Sequence, residues 1–114
     1  MLAITNTTSA WLLILVSGFL EIAFSVSMKL SDSYTRFVPS VVSIGAAILS
    51  VWLMSLTLKA IPVGTAYAVW AGIGAAGTAV VGMLFFQEPA MLARIICIGL
   101  VVAGIVGLQL LTPT

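Results

Sequence analysis

The sequence predicts an all-α membrane protein built from four transmembrane helices. Three observations predict it. Of the 114 residues, 62% are hydrophobic and 6% are charged, against about 25% charged in a soluble domain. The apolar residues gather into four runs of about 20, the length that crosses a hydrocarbon core of about 30 Å. Six charged side chains (Lys29, Asp32, Arg36, Lys59, Glu88 and Arg94) lie at or near the ends of those runs, and only Glu21 lies deep inside one. Backbone groups in lipid must bond internally, so the runs are expected to be helices.

The first run covers 11–30. The residues before it, Met1 to Ala10, are polar and hold no Lys or Arg. A cleaved signal has a basic start and a short apolar core; this pattern differs, so the first run is expected to stay as a helix. The second run, 39–58, opens on Pro39, which suits the first turn of a helix. The third covers 64–86 and the fourth 91–111. The connections 31–38, 59–63 and 87–90 are short and leave no room for a soluble domain. One four-helix unit over 1–114 is expected, with both termini on one side of the membrane.

Composition also excludes several classes. A net charge of +1 gives no electrostatic footprint for nucleic acid. The lone Cys97 sits in an apolar run and is expected to pack rather than pair. With no histidine and no carboxylate cluster, no metal site is expected. No nucleophile–base pair is apparent, so an enzyme is not expected. Lys29, Arg36 and Arg94 flank one face of the membrane and Lys59 the other. That slight bias favours termini outside and leaves both orientations open.

Glu21 is therefore the residue to explain. About ten residues from either end of its run, it lies near the bilayer midplane, where a charge costs at least a few kcal/mol. Helix spacing puts Ser17, Gly18, Phe24, Ser25 and Met28 on its face. Gly18 leaves room beside the carboxyl, and Ser17 and Ser25 offer hydroxyls. The second helix carries a stripe of Ser43, Ala47, Ser50, Met54 and Thr57, and mid-span Ser50 is the candidate to meet Glu21. On the third helix Tyr67 and Trp70 share a face that continues through Gly74, Thr78 and Gly82. Their rings can hold a cation and their polar tips can donate hydrogen bonds. Gly72, Gly74 and Gly77 are suited to close packing or to a hinge. Gly99, Ala103, Gly104 and Gly107 give the fourth helix a small-residue surface suited to dimerisation.

Four short helices enclose little space, and Glu21 must face protein or water, so an oligomer is expected. A protonated carboxyl is neutral, and a deprotonated one is stabilised by a bound cation. Protons and a cationic substrate then compete for one group. Alternating access around it gives proton-coupled antiport, with protons as the coupling ion and no cofactor.

The residues also resemble the small multidrug resistance family of four-helix bacterial exporters, over nearly all of 11–111. The resemblance rests on Gly18 and Glu21 with Lys29 eight residues later, and on Thr35-Arg36 followed by Pro39-Ser40. It rests further on Ile61-Pro62 and on Gly64-Thr65-Ala66-Tyr67-Ala68-Val69-Trp70. It implies an antiparallel, dual-topology homodimer in the bacterial inner membrane, in which both copies of the central glutamate bind substrate or protons. Gly72-Ile73-Gly74-Ala75, Gly77, Gly82 and Phe85-Phe86-Gln87-Glu88-Pro89 are similar to the guanidinium-exporter branch. By that similarity Gly18, Glu21, Ser50, Tyr67 and Trp70 map onto its binding site. The branch usually carries Trp three residues after the glutamate; Phe24 stands there, which keeps the aromatic face and lacks the indole N–H. Export of small guanidinium-type cations is expected. The alternatives are export of quaternary ammonium or polyaromatic cations, and service as one subunit of a paired heteromeric transporter.

Overall fold

The computed structural model describes residues 7–111. The residues before and after these, including most of the polar stretch ahead of Trp11, lie outside the described residues. Four helices follow one another: α1 (Thr7–Leu30), α2 (Phe37–Thr57), α3 (Val63–Phe85) and α4 (Leu92–Leu111). Each is long and apolar enough to cross a membrane. α1 begins before the expected boundary at 11. Its first turns pack on the chain, with Ala10 and Ile14 buried, so the helix continues through polar Thr7, Thr8 and Ser9. The other ends fall within one or two residues of the apolar runs, the ordinary spread of helix termini.

The connections stop the helices by identifiable means. After α1, Asp32, Ser33 and Tyr34 all adopt positive φ, at 50°, 60° and 64°, a left-handed turn unfavourable to L residues. Ser31 holds it. Its hydroxyl donates to the Met28 carbonyl at 2.6 Å and accepts from the Tyr34 N–H at 2.9 Å. The Tyr34 hydroxyl then meets Ser43 of α2 at 2.9 Å. α3 starts directly after Pro62, its N-cap residue. It ends where Gln87, at φ 57°, turns the chain away.

α1 is the centre of the assembly. It packs on α2 and on α3, while α4 packs on α3 alone. A small core unites Ala10 and Ile14 of α1 with Ile61, Ala66 and Val69, and Trp11, Trp70, Ile105 and Leu108 close around it. The buried face of α2 is made mainly of small and hydroxyl residues, Ser43, Ala46, Ser50 and Thr57, with Leu56 beside them. Lipid offers no water to escape from, so such seams hold by close fit and hydrogen bonds. No described residue of α4 is buried. The Cα envelope measures 40 × 37 × 16 Å, a thin slab rather than a closed bundle.

Candidate functional site

Glu21 projects from α1 toward α3, and glycine makes the approach close. A Cβ placed on Gly74 would stand 3.0 Å from Glu21 Cβ. Beside this contact the two helices part around a cavity of about 510 Å³. α1 lines it with Glu21, Phe24 and Ser25. α3 lines it with Tyr67, Trp70, Ala71, Gly74, Ala75, Thr78 and Ala79, and Glu88 and Arg94 complete its far end. The Tyr67 and Trp70 rings pack against each other, centroids 5.4 Å apart and tilted by 59°. Their edges and faces form one wall. Ser25 bonds to Thr78 across the cavity floor and donates to its own Ile22 carbonyl at 3.0 Å.

Buried hydroxyls fix that wall from behind. Trp70 Nε1 donates to Ser50 Oγ at 2.8 Å. Ser50 Oγ donates to the Ser17 carbonyl at 2.7 Å, and Ser17 Oγ donates to the Ser50 carbonyl at 2.7 Å. The two serines thus clamp α1 to α2 reciprocally, and both are fully buried. Ser50 also lies beside the Glu21 carboxyl. A hydroxyl has one proton, and Ser50 gives it to the Ser17 carbonyl.

The cavity therefore brings together Glu21, Phe24, Ser25, Tyr67 and Trp70, with Ser50 bonded behind Trp70. Gly18 is placed elsewhere. It is buried, and a Cβ on it would come within 2.7 Å of Ile73 Cγ2 and 2.8 Å of Ile73 Cβ. Ile73 fills the space that Gly18 leaves, so Gly18 sets the α1–α3 distance and does not line the cavity. Besides Gly74, two further α3 glycines meet neighbours: Gly72 faces Ile105 of α4, and Gly77 lies under Ile22 of α1. α3 passes through all three without a break. On α4, nothing lies within 4 Å of a Cβ built on Gly99, Gly104 or Gly107, and Ala103 and Cys97 are exposed. That surface is open in the single chain, so Cys97 is not packed as its apolar run led one to expect.

Glu88 and Arg94 join the site beyond the residues singled out from the sequence. Thr78 was visible as a member of the Tyr67–Trp70 face. Glu88 and Arg94 gave one signal: two opposite charges flanking a short loop in a chain with seven charges.

The fold and site define a multi-pass membrane protein with an acid inside a half-open cavity between two spans. The family described as Small Multidrug Resistance protein matches residues 9–101, and this chain belongs to that family. It is accordingly a multi-pass protein of the bacterial inner membrane. It is 45% identical to a protein of Citrobacter freundii over 103 residues, covering 90% of this chain and 98% of the relative. A Salmonella typhimurium protein matches to the same extent. A Yersinia pseudotuberculosis protein is 45% identical over 101 residues, covering 89% of this chain and 97% of the relative. Each of the three is named "Guanidinium exporter".

Proposed function

We propose that the chain is a proton-coupled antiporter that exports small guanidinium-type cations across the cell membrane. Glu21 carries the proposal. It is the one charged side chain deep within a span, and it opens into a cavity walled by Tyr67 and Trp70. A carboxylate pairs with a planar guanidinium through two parallel N–H···O bonds, and the aromatic wall adds cation–π attraction. Protonation removes the charge and releases the cation, so protons and substrate exchange at one group. No cofactor is required. The names of the relatives support the same substrate class.

The working unit is an antiparallel, dual-topology homodimer. A slab 16 Å thick leaves the Glu21 cavity open on one side, and a second copy closes it. The open small-residue surface of α4 supports helix-on-helix dimerisation. Two Glu21 carboxyls then titrate as a coupled pair.

Phe24 and the size of the cavity favour a second reading of the substrate. About 510 Å³ lies within the range of small-molecule sites and exceeds what bare guanidinium needs. Phe24 offers a ring and no donor. Substituted guanidines, and quaternary ammonium ions held by aromatic faces alone, fit the same site.

Proteoliposome transport with the purified chain tests the proposal. A gradient of guanidinium, methylguanidinium or a tetra-alkylammonium is imposed and proton movement is recorded. Coupled flux for the guanidinium ions is expected from this chain without a partner subunit. Absence of coupled flux would exclude the homodimeric antiporter.

A further inference from the structure

The proposed exchange at Glu21 leaves one pair of charges in the same cavity unused. Arg94, in the first turn of α4, donates to Glu88 Oε1 across the short 87–90 connection. The Glu88 position is built rather than incidental. Gln87 at φ 57° turns the chain back, and the Glu88 N–H reaches the Gly82 carbonyl at 3.2 Å. The Glu88 carboxylate lies so close over Gly82 that a Cβ there would overlap it. The two side chains stay 39% and 31% exposed, and both line the cavity that contains Glu21.

The Arg94 head group is a tethered guanidinium. A carboxylate that accepts from this group offers the same oxygens to a free guanidinium ion. We propose that Glu88 is a second, peripheral cation-binding carboxylate of this cavity, and that Arg94 is its built-in competitor. An incoming guanidinium replaces Arg94 on Glu88 before passing to Glu21, and Arg94 closes over Glu88 behind it. This rests on the guanidinium assignment made for Glu21. The exchange is inexpensive because one N–H donor set replaces another, so the carboxylate is never left unpaired. A quaternary ammonium ion has no N–H with which to make that replacement. The Glu88 step therefore selects guanidinium-type ions at a point where Phe24 supplies no donor.

Initial rates of guanidinium uptake into proteoliposomes test this, with inhibition by a tetra-alkylammonium read in parallel. Glu88→Gln is expected to raise the guanidinium KM about two- to fivefold, the scale of a half-exposed ion pair. Tetra-alkylammonium inhibition is expected to stay unchanged. Arg94→Gln is expected to lower the guanidinium KM by a similar factor, because the competitor is gone. Opposite shifts support the proposal. A KM unchanged in both variants, or one raised in both for both kinds of ion, overturns it, since a merely structural pair behaves in that way. If Glu88→Gln does not fold, Arg94→Gln and Arg94→Lys decide. A lowered guanidinium KM supports the proposal and an unchanged or raised one overturns it. Failure of the parent assignment looks different: the wild-type chain then moves no guanidinium at all.

Discussion

α1 meets its two neighbours in different ways. Against α2 the seam is closed by hydroxyls: Ser17 and Ser50 exchange hydrogen bonds with each other's backbone, and Ser43 donates to the Phe24 carbonyl at 3.2 Å. Against α3 the seam is made mainly by glycines. Gly18 accepts Ile73, Gly74 accepts Glu21 and Gly77 accepts Ile22, with Ser25–Thr78 as the hydroxyl bridge. Hydrogen bonds out of water fix one register between two helices. Glycine contacts fix a distance and leave neighbouring registers close in energy. α1 and α2 thus form a fixed pair, and Glu21 lies on the seam with less to hold it. In the proposed antiport, alternating access is expected there, with α3 shifting against the α1–α2 pair.

The largest effect comes from the carboxyl itself. Glu21→Gln keeps the shape of the side chain and removes its charge, so guanidinium-coupled proton flux should fall to the level of empty liposomes while the protein still purifies folded. Steric change in the glycine seam comes next. Gly18→Ala puts a methyl against Ile73 Cβ, which is fixed to the backbone and cannot swing away. Overpacking of this kind costs about 1–3 kcal/mol. A lowered thermal midpoint in detergent and reduced flux are expected together. Loss of neither would mean that the α1–α3 distance is not set at this contact.

The hydroxyl seam should respond more mildly and in a different observable. Ser50→Ala strips Trp70 Nε1 of its acceptor and α1 of one clamp bond. An unpaired buried donor is worth about 1–3 kcal/mol, and interhelical bonds in membranes often less. Guanidinium binding followed by Trp fluorescence should weaken about five- to tenfold, with flux retained at high substrate. The smallest change concerns selectivity. Phe24→Trp adds an indole donor to the cavity wall and should raise the preference for guanidinium over a tetra-alkylammonium about fivefold. An unchanged ratio would remove position 24 from the determinants of substrate choice.

The four spans and the importance of Glu21 were legible in the sequence, because run length and charge placement are one-dimensional quantities. So was the grouping of Tyr67, Trp70 and Thr78, which share one helical face. The spatial relations between helices were not. Spacing along α1 shows Gly18 next to Glu21, but it carries no information on which residue of α3 fills the gap, and Ile73 does. The mid-span position of Ser50 points to it as a partner for Glu21. Its bonds to Ser17 and Trp70 depend on how α2 and α3 are rotated about their axes, which no period encodes. The Glu88–Arg94 pair was hidden because it is made across a turn. Its geometry depends on the positive φ of Gln87, a residue with no strong sequence signal for that conformation.

The central claim is that protons and substrate compete for Glu21. Calorimetric titration of guanidinium into the purified chain, repeated in buffers of different ionisation enthalpy and at several pH values, measures this directly. A cation that binds the carboxylate must displace its proton. The apparent Kd should therefore rise as pH falls, by up to about tenfold per pH unit for one proton, with proton release on binding at low pH. Glu21→Gln should neither bind nor release. Binding that is independent of pH and releases no proton, or binding that survives Glu21→Gln, would contradict the account.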